Sequence, residues 1–209
     1  MFFVNSGSPS TVSNEQKALS RRSLIKGGGV LAGAGVLLGG TPLAVATGDS
    51  SLHLDVACDG RTWVVNRAAG ADPDAPVERG DTFLVQGSIY PAGTIAEGLS
   101  GPTQPGRIGH WVCRGWFYYG LHAMMEGAVP HVVTTQLYLL DSFDGLVSDG
   151  MEGGTFTVRA VTGGYGKYRT AGGQVGQTEV EENNTTLALG DGVHAPAPNI
   201  RFEFSLAGV

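Results

Sequence analysis

The sequence predicts an all-β domain, either a sandwich or a closed barrel. Beyond residue 46 the chain is a succession of short alternating or β-branched runs, and no ten-residue stretch keeps a helical period. Glycine makes up 34 of 209 residues, about twice its usual share, which argues against a helical bundle. A hydrophobic fraction of 42% is enough for one core and excludes wholesale disorder. Regularly spaced runs divided by turn residues favour a sandwich or barrel over alternating strands and helices.

Residues 1–46 are expected to be an export signal rather than part of the fold. A polar leader ends in Ser20-Arg21-Arg22-Ser23-Leu24-Ile25-Lys26, a glycine-softened apolar stretch follows over 27–40, and Ala44-Val45-Ala46 offers small residues to a peptidase. The paired arginines resemble the twin-arginine motif, with Leu24 where an aromatic is usual. The expected location is therefore secreted or extracytoplasmic. A retained anchor is the alternative, but seven glycines between Gly27 and Gly40 disfavour a stable span of about 20 residues. Residues 47–209 would then form a single domain.

Strands are expected at 52–57, 61–66, 82–90, 109–119, 131–140, 145–149, 155–162, 173–181 and 199–206. Asp59-Gly60, Asp144-Gly145, Gly153-Gly154, Gly163-Gly164 and Asp191-Gly192 supply turn residues tolerant of positive φ. The last strand has the clearest pattern: Ile200, Phe202, Phe204 and Leu206 share one face, and Arg201, Glu203 and Ser205 the other. Strands 109–119 and 131–140 carry large apolar groups on both faces and need cover on both sides. A homo-oligomer, dimer or trimer, would supply it.

Without the leader's four basic residues and one acidic residue, the chain from Thr47 keeps 9 basic and 18 acidic residues, a net charge of −9. Its only lysine is Lys167. Such a surface repels phosphate backbones, so nucleic acid is not an expected partner. His53, His110, His122, His131 and His194 lack tight ligand spacing, so no metal site is expected. Cys58 and Cys113 are an even pair in an exported chain. A disulfide between them is expected, worth roughly 4 kcal/mol in the chain-entropy model; two separate buried thiols are the alternative.

The stretch Phe156-Thr157-Val158-Arg159-Ala160-Val161-Thr162-Gly163-Gly164-Tyr165-Gly166-Lys167-Tyr168-Arg169-Thr170-Ala171-Gly172-Gly173 resembles the signature of the dirigent and allene-oxide-cyclase barrel superfamily. There a strand enters a Gly-Gly-x-Gly-x-aromatic turn and a small-residue pair leads out. Leu146-Val147-Ser148-Asp149-Gly150 and Gly80-Asp81-Thr82-Phe83-Leu84-Val85-Gln86-Gly87 resemble further family segments, so that the likeness spans roughly residues 80–206. The glycines suit a sharp β corner, with Tyr165 and Tyr168 capping the barrel end. A phosphate-cradling loop is excluded because no helix pattern follows it.

The resemblance implies an eight-stranded antiparallel β-barrel, commonly a trimer, whose lumen receives an apolar small molecule. It also implies no cofactor. The function it implies is binding a hydrophobic intermediate and steering its cyclisation or stereoselective coupling, in the manner of a cofactor-free isomerase or cyclase, with a partner oxidase where coupling is oxidative. The alternative is a non-catalytic, secreted, lipocalin-like carrier or interaction barrel. Polar residues among apolar strands are the natural anchors, since burying them unpaired is costly. Gln86, Arg114 and Gln136 are such residues. Arg114 shares a face with His110, Trp116 and Tyr118, and Gln136 with Thr134 and Tyr138. If those faces point inward, Gln86, Arg114, Trp116, Tyr118, Gln136 and Tyr138 surround a ligand, with Asp149 as a base or as a partner of Arg114 or Arg159. Strand parity alone does not say which face is inside.

Overall fold

A computed structural model describes residues 50–67, 69–129 and 131–209. The expected leader, residues 1–46, lies outside the described residues. Eight antiparallel strands close into a barrel in chain order: β1 (Ser50–Asn66), β2 (Thr82–Pro91), β3 (Gly109–Phe117), β4 (Val132–Leu140), β5 (Gly145–Glu152), β6 (Phe156–Tyr165), β7 (Gly172–Gly190) and β8 (Val193–Ala207). Closure comes from β1, where Val56 pairs with Ile89 on one side and Ile200 on the other.

The runs expected at 52–57 and 61–66 are one strand. A register shift between Asp59 and Val64 bends β1 without breaking it, as a bulge does. Two features were not expected. A short helix, α1 (Leu121–Met125), follows β3, and β7 and β8 continue past the barrel as a long hairpin. The bend in β1 brings Gly60 onto that hairpin. A Cβ there would sit 2.2 Å from the Thr186 carbonyl oxygen, so only glycine permits the approach.

The core lies in the lumen. Leu54, Val56, Val175, Ile200, Phe202, Phe204 and Leu206 are buried there, as the alternation in the last strand predicted. Tyr138 stands edge-on to Phe202 and Phe204, with ring centroids 5.0 and 4.9 Å away. With Leu146, Val161 and Tyr168 these rings fill one end of the barrel. The glycine corner closes that end: Gly166 takes φ +65°, and the Asp144 carboxylate accepts the Lys167 backbone N–H at 2.9 Å. Tyr168 is buried as expected, whereas Tyr165 is 42% exposed and lies across Gly145.

Residues 92–108 form an external strap over β1 and β2. Asp55, fully buried, accepts the N–H groups of Gly93 and Ile95 at 2.9 Å each and faces Arg201 at 3.3 Å. Those contacts satisfy the carboxylate, and Ala57, Tyr90, Ile95 and Leu99 make a second small core beneath the strap. The expected Cys58–Cys113 disulfide is not formed. Both side chains are buried in the lumen, but β2 runs between their strands. Two strand spacings separate the backbones by about 9 to 10 Å, beyond the roughly 7 Å that a disulfide spans.

Candidate functional site

The barrel end opposite the glycine corner is not filled. It holds a cavity of about 170 Å³ between the strands, α1 and the β7–β8 hairpin. One wall is aromatic and aliphatic. Trp63, Phe83 and Phe117 pack with centroids 5.0 to 6.2 Å apart, and Leu121 and Met124 of α1 close the wall from outside. The helix is held by its first turn, where the Leu121 N–H reaches the Val77 carbonyl at 2.8 Å. Leu187, Leu189, Ala195 and Pro198 bring the hairpin over the mouth.

The opposite wall is polar and built around Arg159 and Glu152. Alternation along β6 turns Arg159 inward, where it is 1% exposed, and β5 delivers Glu152 near its end. The guanidinium meets the carboxylate at 2.8 Å and donates to the Ser148 hydroxyl at 3.1 Å and the Thr134 hydroxyl at 2.6 Å. Its remaining hydrogens go to the carbonyls of Thr134 and Ser148. A buried arginine with its donors this fully used is a fixed charge that holds two strands and a carboxylate in place.

Gln136 is the hub of the adjoining amide layer. Its amide donates to Glu152 and to Gln177, at 2.9 Å each, while its carbonyl accepts from Trp111 at 3.1 Å and Tyr138 at 2.6 Å. Gln177 in turn donates to the second Glu152 oxygen at 2.9 Å. Thr134 also donates its hydroxyl to Glu152. Burial pushes the Tyr138 phenol above its ordinary value. Burial, and then the neighbouring Glu152 charge, pushes the Cys113 thiol well up, so this thiol stays protonated.

Of the residues expected to surround a ligand, only Gln136 and Tyr138 are inside. The parity of β3 is the reverse of the expected one: Trp111, Cys113 and Phe117 point inward, so His110, Arg114 and Trp116 point outward. Tyr118, beyond the strand, is 38% exposed and packs against Tyr119 and Arg79. Gln86 is exposed on the outer face of β2, where Phe83 and Val85 take the inner positions. Asp149 also faces outward, bonded to the Thr135 and Thr162 hydroxyls. Those hydrogen bonds, Thr135 first, hold it below the ordinary carboxylate range. It partners neither Arg114 nor Arg159 by a direct bond, because Arg159 is spent on the inner face.

Sequence reasoning passed over Glu152, Gln177 and Trp111. Glu179 of β7 lines the cavity as well. One signal was available: Arg159 shares a strand face with Val161, so with that face turned inward the arginine needs a buried partner for its charge. Among the described residues no cluster of three or more His, Cys, Asp or Glu is arranged to hold a metal ion.

No family model and no curated relative matches the sequence. Solved structures do match the fold. Two pterocarpan synthase dirigent proteins, PsPTS1 and GePTS1, each superpose with a TM-score of 0.51 at 10% identity, covering 76% of this chain and 94% and 83% of theirs. Pyocyanin demethylase aligns over 76% of this chain and 100% of its own at 15% identity, with a TM-score of 0.44.

Proposed function

From the dirigent-like barrel as premise, we propose that this protein binds a hydrophobic small molecule in its lumen and steers that molecule's cyclisation or stereoselective coupling. The observation that carries the reading is the unfilled end of the barrel, an apolar cavity with one pre-built polar wall. An eight-stranded barrel is about the size at which the interior either fills with side chains or holds one ligand, and this one does each at opposite ends. An apolar enclosure with few, fixed polar contacts suits a reactive molecule whose folding and orientation decide the product. In such a site Glu152 and Gln177, held in place by Gln136 behind them, orient the ligand, and the Trp63–Phe83–Phe117 wall stacks against it.

Size limits the candidates. A cavity of about 150 Å³ admits a benzene-sized molecule, so a larger substrate would have to extend beyond the enclosed space through its mouth. Non-catalytic carriage by the same cavity is the second reading, because the polar wall holds a ligand whether or not it reacts. As part of the same proposal, the leader at residues 1–46 places this chemistry outside the cytoplasm, and the coupling route needs a partner oxidase.

Product analysis with and without the protein, across a panel of phenolic, polyene and epoxide intermediates, separates the two readings. Steering predicts an altered rate or stereochemical ratio, lost in Gln136→Leu while the fold persists. Unchanged rates and ratios throughout the panel would leave only carriage.

A further inference from the structure

Hydrogen-bond accounting at the polar wall says what kind of ligand it takes. Resting on the lumen reading above, we infer that the cavity selects small apolar molecules bearing a hydrogen-bond donor or a positive charge, and rejects carboxylates. Arg159 is the strong donor nearby, but its hydrogens are committed to Glu152, Ser148 and Thr134, and it does not line the cavity. Both Gln136 amide hydrogens are taken by Glu152 and Gln177, and the Trp111 and Tyr138 donors by the Gln136 carbonyl. What faces the cavity is the Glu152 carboxylate together with the Gln177 amide, which spends one hydrogen on that carboxylate and its oxygen on Gln136. One of the carboxylate oxygens accepts from Arg159, Thr134, Gln136 and, at 3.9 Å, the Cys113 thiol, while the other accepts from Gln177 and keeps lone-pair capacity.

Charge points the same way. Glu152 and Glu179 both line the cavity, and no lysine or arginine is among its described lining residues. His131 is there as well, at the mouth. Arg159 balances the Glu152 charge from behind, so an incoming anion would meet the carboxylate end of that ion pair, with the guanidinium on the far side. An incoming ammonium or hydroxyl would instead complete the coordination of Glu152 and make a charge-assisted hydrogen bond.

Four single-ring probes of matched shape test this on the full chain by calorimetric titration: toluene, benzyl alcohol, benzylammonium and benzoate. The expected order of affinity is benzylammonium, benzyl alcohol, toluene, benzoate, with the ammonium at least about tenfold tighter than the carboxylate, as one charge-assisted bond provides. In Glu152→Gln the ammonium preference should fall to within about threefold while toluene binding persists. Benzoate equal to or tighter than benzylammonium in the wild type, with toluene still bound, overturns the inference and leaves the lumen reading intact. The wild-type ranking needs no variant, so a Glu152→Gln protein that fails to fold leaves this test in force. A preference unchanged in a folded Glu152→Gln also overturns the inference. Failure of all four probes to bind overturns both readings.

Discussion

Arg159 is the residue on which the site and the fold depend together. Removing one partner of a buried ion pair strands the other charge, at a cost of about 3 to 5 kcal/mol. Arg159→Met is therefore expected to lower the thermal midpoint by many degrees, and denaturant titration measures the loss. A second residue-scale prediction concerns acid. The Asp149 carboxyl is lowered in the folded state by the Thr135 and Thr162 hydroxyls. A group depressed by folding stabilises fully above its unfolded value, near pH 4, and that contribution disappears as pH falls through the folded value. Asp149→Asn should thus be less stable than wild type at neutral pH and should converge with it as pH falls through the folded value, which urea midpoints across pH 2 to 7 will read. A constant gap down to pH 2 would remove the assigned cause. That Gln136 and Tyr138 share one face was legible from alternation along their strand. Which face looks inward was not, and Arg114 and Trp116 took the wrong side, because β3 and β4 are apolar on both faces and alternation then has no sign.

At the scale of elements, β8 is the most legible part of the molecule. Its four inward residues are each 2% exposed or less, and fully burying such side chains is worth about 1.5 to 3 kcal/mol apiece before entropy. Phe204→Asp places a charge against Tyr138 and Phe202 and is expected to leave the protein unfolded or aggregated, as circular dichroism and sedimentation would show. The strand ranges themselves were readable from turn residues and β-branched runs. What escaped was local in a different sense. Helix α1 spans five residues, too short for any period to register, and it exists because Val77 and the cavity receive Leu121 and Met124. The β7–β8 extension reads as a polar tract, Glu181 to Thr186, and is ordered by contacts from far away: Thr185 accepts the Gly60 N–H at 2.9 Å, and Trp63 donates to Ala188 at 2.7 Å.

On the scale of the whole molecule the outer wall is uneven. Trp116, Val133 and Met151 lie side by side on β3, β4 and β5, and β6 adds the exposed Phe156 and Val158. The outer faces of β1 and β8 carry His53, Arg201, Glu203 and Ser205 instead. An apolar sheet face of that breadth is expected to be covered by a second copy of the chain, making the protein a homo-oligomer. Light scattering should find a dimer or trimer, and Trp116→Glu combined with Met151→Lys should dissociate it without unfolding the barrel. A wild-type monomer at micromolar concentration ends that expectation.

By itself the sequence determined an all-β chain, the position of most of its strands, the buried face of the last strand, and the glycine corner, because these follow from backbone conformation and near-neighbour alternation. Only the tertiary structure decided which faces of the middle strands look inward, that Cys58 and Cys113 stay apart, and that Glu152, Arg159, Gln136 and Gln177 meet. The physical reason is closure. Strand curvature and register assign inside and outside for all eight strands at once, and Gln136 on β4 meets Gln177 on β7 only because the curled sheet brings them together across the lumen.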